Sequence, residues 1–105
     1  MARILPGGFA NKCDHAGDNN WIIVKKIQVA FCRKCGYIFY GDEWFESRVL
    51  IIALLVDEDE DLAMNLFNIR EKFRKARIIR YTHIPESEIR NAAIRMRRQL
   101  EKDSP

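Results

Sequence analysis

The sequence predicts an α+β fold: a small N-terminal β-ribbon followed by two or three packed α-helices. Three observations carry that expectation. Runs rich in β-branched and aromatic residues lie before residue 41 and flank a short turn. Apolar residues recur at helical spacing after Asp42. The charges fall in blocks. Residues 1–41 carry six basic and two acidic side chains, residues 42–68 one basic and eight acidic, and residues 69–105 eleven basic and five acidic. The formal net charge of +3 hides this tripolar layout, which points to a charged partner and not merely to solubility. A chain of 105 residues has room for one small domain or two very small modules, which excludes a barrel enzyme or a two-domain dehydrogenase. Hydrophobic residues at 48% and charged residues at 31% exclude a disordered or collagen-like chain.

Residues 1–12 contain Pro6, Gly7 and Gly8 without periodicity and read as a flexible arm. A ribbon unit is expected over 13–41 and a helical region over 42–105. Trp21 to Val29 reads as one strand and Tyr37 to Tyr40 as a second, so a two-stranded ribbon would close around Cys32–Gly36. Gly41 ends the strand region and Asp42 is placed to cap a helix. In that helix Trp44, Phe45, Arg48, Val49, Ile52 and Leu55 recur at helical spacing. Val49–Val56 is apolar on every side; the continuous length from Asp42 favours helix, and a buried strand is the other reading.

Asp57–Asp61 suits the N-terminus of a second helix, where the macrodipole favours negative charge. Leu62, Leu66, Ile69, Phe73 and Ala76 form its apolar seam, and Arg70, Arg74 and Arg77 share another face. Tyr81–Pro85 breaks the pattern. Pro85, Glu86 and Glu88 then open a third helix that runs to about Lys102, with Ile89, Ala93, Met96 and Leu100 as its stripe. Glu86 and Arg90 form an acid-first pair one turn apart, and Asn91, Arg95, Arg98 and Lys102 line a basic face. The second and third helices admit a helix-turn-helix variant, although the segment between them lacks glycine.

Cys13-Asp14-His15 is followed, after sixteen residues, by Cys32-Arg33-Lys34-Cys35-Gly36. Two ligand pairs joined by a β excursion are what a tetrahedral metal site requires, and three Cys with one His make a closed, structural zinc set. The Cys-x-x-Cys spacing lets two thiolates from one turn reach one ion, and Gly36 lets that turn bend its amides toward the sulfurs. Arg33 and Lys34 place positive charge beside the thiolates. Buried, unrelated cysteines are the other reading, but Cys13 sits among Asn, Lys, Asp and Gly, a poor core environment. A Cys32–Cys35 redox dithiol would want a βαβ context that the sequence lacks.

Cys13, His15, Trp21, Cys32, Cys35 and Gly36 together resemble a zinc ribbon of the small prokaryotic and phage type. The likeness spans residues 13–40. It implies that Cys13, His15, Cys32 and Cys35 bind structural Zn²⁺ and that Trp21 packs beside the knuckles. The one-residue spacer in Cys13-x-His15 departs from the commoner Cys-x-x-Cys knuckle.

No catalytic residue is expected. A zinc deaminase needs H-x-E and P-C-x-x-C, yet Gly17 and Phe31 occupy the required Glu and Pro positions. His83, Ser47 and Ser87 are weak nucleophile candidates, and no phosphate-binding glycine loop occurs. The expected function is therefore non-enzymatic: a zinc-binding regulatory or adaptor protein for nucleic acid or a nucleic-acid-processing machine of the transcription type. Arg70, Arg74, Arg77, Arg95 and Arg98 are the candidate phosphate contacts. The alternative is a phage-type protein–protein module that grips a host protein through Asp57, Glu58, Asp59, Glu60 and Asp61 and its apolar helices. The aromatics and the all-round apolar run also raise a homodimer. Three cysteines, a start without an apolar leader core, and a longest apolar run of eight residues, against the roughly 20 a membrane helix needs, read as a cytoplasmic protein with reduced thiols and no membrane partner.

Overall fold

The computed structural model describes residue 13 and residues 20–103; the expected arm over 1–12 lies outside them. Four short strands pair antiparallel in chain order: β1 (Trp21–Val24), β2 (Val29–Cys32), β3 (Ile38–Tyr40) and β4 (Glu43–Phe45). Three helices follow, α1 (Ser47–Val56), α2 (Glu60–Lys75) and α3 (Glu86–Lys102). The α+β expectation holds, with a four-stranded sheet in place of a two-stranded ribbon.

The first departure is at Trp21–Val29, which folds back on itself. Lys25–Ile27 forms a 3₁₀ turn and Gln28 adopts a left-handed φ of 55°, so Trp21 faces Cys32 and Val24 faces Val29. Two exposed lysines at the tip let both β-branched ends pair with each other. The second departure is at Gly41. Gly41 (φ 65°) and Asp42 form a two-residue hairpin loop closed by the Tyr40–Glu43 pair, so 43–45 is a strand and Asp42 caps nothing. The helix starts later, at Ser47. There the Glu46 carboxylate accepts hydrogen bonds from the Arg48 and Val49 amides at 3.0 and 3.1 Å.

One face of the sheet turns toward the helices. Phe31 and Ile38 are wholly buried, and Phe31 meets Phe73 of α2 edge to face with ring centroids 5.1 Å apart. The other face gathers Trp21, Phe39 and Trp44, with centroids 5.2–6.4 Å apart.

Helix α1 is the centre of the helical half and packs against both α2 and α3. Leu50 through Val56 are all buried, which explains a sequence that is apolar on every side and settles the helix-or-strand choice. In α2 the expected seam is rotated: Ala63, Leu66, Phe67 and Arg70 are buried, Leu62, Ile69 and Phe73 are half-buried, and Ala76 is exposed. The α3 stripe is buried at Ile89 and Ala93, whereas Leu100 is 45% exposed. The acid-first pair forms, with Arg90 Nε 2.9 Å from Glu86.

Helices α1 and α2 end alike. Asp59 and Glu58 amides return to the Leu54 and Leu55 carbonyls, and Ile78 and Arg77 amides return to the Phe73 and Arg74 carbonyls. Both are Schellman closures. The left-handed residue, usually glycine, is Glu58 (φ 64°) in one and Arg77 (φ 58°) in the other, each at roughly 1–2 kcal/mol of strain. Ten residues, 76–85, join α2 to α3, too many for the short turn of a helix-turn-helix unit. Among the described residues no helix is long and apolar enough to cross a membrane.

Candidate metal centre

Cys32 closes β2, Cys35 ends the turn that follows, and Cys13 reaches them from upstream. Their sulfurs all lie within 4.8 Å of one another, and Cys13 Sγ stands 3.8 Å from Cys32 Sγ. No disulfide joins them. Cys32 is fully buried and the other two are half-buried. The remaining expected ligand, His15, lies outside the described residues. Three soft donors converging on one point can hold a metal ion once deprotonated.

The turn is shaped by its backbone. The Gly36 amide donates to the Cys32 carbonyl at 2.7 Å, the Cys32 amide to the Tyr37 carbonyl at 2.8 Å, and the Arg33 amide to the Asn20 carbonyl at 2.6 Å. Gly36 is required twice over. Its φ is +80°, and a Cβ there would stand 2.9 Å from Tyr81 Cε1 and 3.3 Å from Ile79 Cγ2. The 79–81 segment therefore lies directly against the thiol turn, and the Tyr81 hydroxyl donates to the Gly36 carbonyl at 2.9 Å.

Tyr81 leads to a polar seam. Burial pushes its phenol well above the ordinary tyrosine value, and the Arg70 guanidinium sits 4.2 Å above its ring. Arg70 donates from Nε to Ser47 Oγ at 3.0 Å and from Nη1 to the Thr82 carbonyl at 3.1 Å. It is 3% exposed, and burial lowers its pKa from the ordinary arginine value. Arg70 is thus a strut between α1, α2 and the Tyr81–Thr82 segment and not a surface phosphate contact. It follows Ala63 by seven residues and Leu66 by four, so its place on the buried stripe was implicit in the helical spacing. Its partners Ser47 and Tyr81 carried no local signal.

The remaining candidates separate. Arg77, Arg95 and Arg98 are exposed. Arg74 is half-buried and paired with Glu71, which also meets His83 Nδ1 at 3.2 Å. Burial raises the Glu71 carboxyl, but the hydrogen bonds and charges of Arg74 and His83 outweigh it and hold the group below the ordinary glutamate value. Asp57, Glu58, Asp59, Glu60 and Asp61 are all exposed. Two of them turn inward along the chain: Glu60 pairs with Arg90 at 2.8 Å and Glu58 with Arg97 at 3.8 Å. Arg97 also donates to the Leu55 carbonyl at 2.7 Å, which satisfies the end of α1.

No family model, curated protein or solved structure matches the chain. The likeness to zinc ribbons consequently stands on the motif from Cys13 to Gly36 and on the geometry of its three thiols.

Proposed function

We propose that Cys13, Cys32 and Cys35, with His15 as fourth ligand, hold a structural Zn²⁺ and that the protein is a non-enzymatic, nucleic-acid-binding regulatory or adaptor protein. The carrying observation is the sulfur spacing. Tetrahedral zinc with Zn–S of about 2.3 Å sets sulfurs about 3.8 Å apart, and Cys13 and Cys32 are 3.8 Å apart. Four protein ligands leave no open position for a reacting water, so the ion's part is to hold the turn.

The nucleic-acid half of the reading is supported by charge. Arg77, Arg80, Arg95 and Arg98 are exposed on the helical half, and arginine forks suit phosphate oxygens. The acidic block, the basis of the protein-docking alternative, already has Glu58 and Glu60 engaged by Arg97 and Arg90. Fluorescence anisotropy of a labelled oligonucleotide, measured from low to high salt, tests the reading. Affinity should fall linearly in log K against log salt, with a slope that counts the phosphates contacted. Absence of binding at low salt, or a flat dependence, would overturn it.

A further inference from the structure

Among the described residues, two of the open grooves differ in whether the charge that lines them is used within the fold. One, of about 400 Å³, is lined by Glu58, Glu60, Arg90 and Arg97, which pair with each other. The other, of about 670 Å³, lies where α2 gives way to the 76–85 segment and is lined by Arg74, Arg77, Ile79, Arg80, Tyr81 and Thr82. Arg74 answers to Glu71, but among the described residues neither Arg77 nor Arg80 forms an ion pair. The matched helix ends sharpen the contrast. At the end of α1 the left-handed Glu58 is balanced by Arg97, whereas at the end of α2 the left-handed Arg77 faces an open groove. Glycine would relieve that backbone and supply no charge.

We infer that the Arg74–Arg77–Arg80 groove is the site where the protein grips the phosphodiester backbone of nucleic acid. The inference rests on the nucleic-acid reading above and assigns its contact residues. Arg77 and Arg80 offer two guanidinium forks to successive phosphates, and Arg74 lines the same groove while paired with Glu71. The floor is rigid, because Tyr81 is fixed by the Gly36 carbonyl and the Arg70 guanidinium. Through that same bond the groove adjoins the thiol turn, which bears the exposed Arg33 and Lys34. A metal held by the three thiols would therefore stiffen one wall of the groove.

The test is anisotropy of a short fluorescein-labelled duplex and of its single strands, over a salt series, with the whole chain. Arg77→Gly, Arg80→Gln and the Arg95→Ala/Arg98→Ala pair are compared, with thermal unfolding of each. Each groove substitution should lower the salt slope by roughly 1 and the low-salt affinity on the order of tenfold. Arg77→Gly should do so while raising Tm, a combination that a purely structural arginine does not produce. The α3 pair should change affinity less than about twofold. Groove variants that bind like the unaltered protein overturn the site and leave the nucleic-acid reading standing. An unaltered protein that binds neither probe at low salt overturns that reading itself. Should Arg77→Gly lose stability together with affinity, Arg80→Gln at unchanged Tm decides, and retained affinity there overturns the site.

Discussion

The thiol turn and helix α1 are both interior parts of the molecule, and they are made interior by opposite chemistry. Around the turn, one thiol is fully buried, two are half-buried, and the strands beside it are three or four residues long. A pair of such strands is marginal alone, and four of them are steadied by burying Phe31 and Ile38 toward the helices. In α1 seven consecutive apolar side chains are buried, and two other helices cover them. The first region gathers three thiols that can hold an ion; the second is driven by area removed from water. Between them runs a polar seam: Gly36, Tyr81, Arg70, Ser47 and the Thr82 carbonyl. This polar seam adds to the apolar core that the sheet and the helices share through Val29, Phe31 and Ile38.

Substitutions that strike one part and spare the other test this contrast. The largest effect belongs to the metal site, where zinc binding contributes on the order of 10 kcal/mol in comparable small modules. Cys32→Ser should disorder the sheet, seen as a change in the fluorescence of Trp21 and Trp44, while most of the far-UV helical signal survives. Simultaneous loss of both signals would show that the helices lean on the ion. Next comes Leu50→Ala, a truncation in α1 expected to remove about 2–5 kcal/mol. Chemical denaturation should read that loss with metal still bound in the native state.

The seam itself should respond less strongly. Arg70→Ala leaves Ser47 Oγ and the Thr82 carbonyl without their donor and should cost about 1–3 kcal/mol. Tyr81→Phe removes the hydroxyl that donates to the Gly36 carbonyl, leaves the ring beneath Arg70, and should cost about 1 kcal/mol in thermal unfolding. If either seam substitution were neutral, these contacts would add nothing to the apolar packing that also joins the two regions.

Much of this was legible in the residues. The Cys13 and Cys32-x-x-Cys35 pattern anticipated the three converging thiols, because tetrahedral coordination dictates both donor type and spacing. The apolar run at 49–56 anticipated a buried element, and its length from Asp42 favoured the helix that forms. The strand boundaries were harder. Trp21–Val29 has no Gly or Pro to announce a reversal, and Gln28 makes one by taking a conformation glycine normally supplies. The Gly41–Asp42 hairpin did carry a signal, since a Gly-Asp pair between aromatic runs is turn chemistry; it competed with an equally good helix cap. Arg70 was the most misleading residue: one-dimensional charge counting treats every arginine as surface, and only the fold brings Ser47 and Tyr81 around it.

The most direct test is the metal content of the purified chain, paired with its thermal unfolding before and after chelation. One equivalent of zinc per chain, lost to the chelator with a marked fall in Tm and regained on adding Zn²⁺, is the expected result. A chain that purifies without zinc and binds none when it is supplied, or that unfolds at the same temperature with and without it, would contradict a metal-held turn.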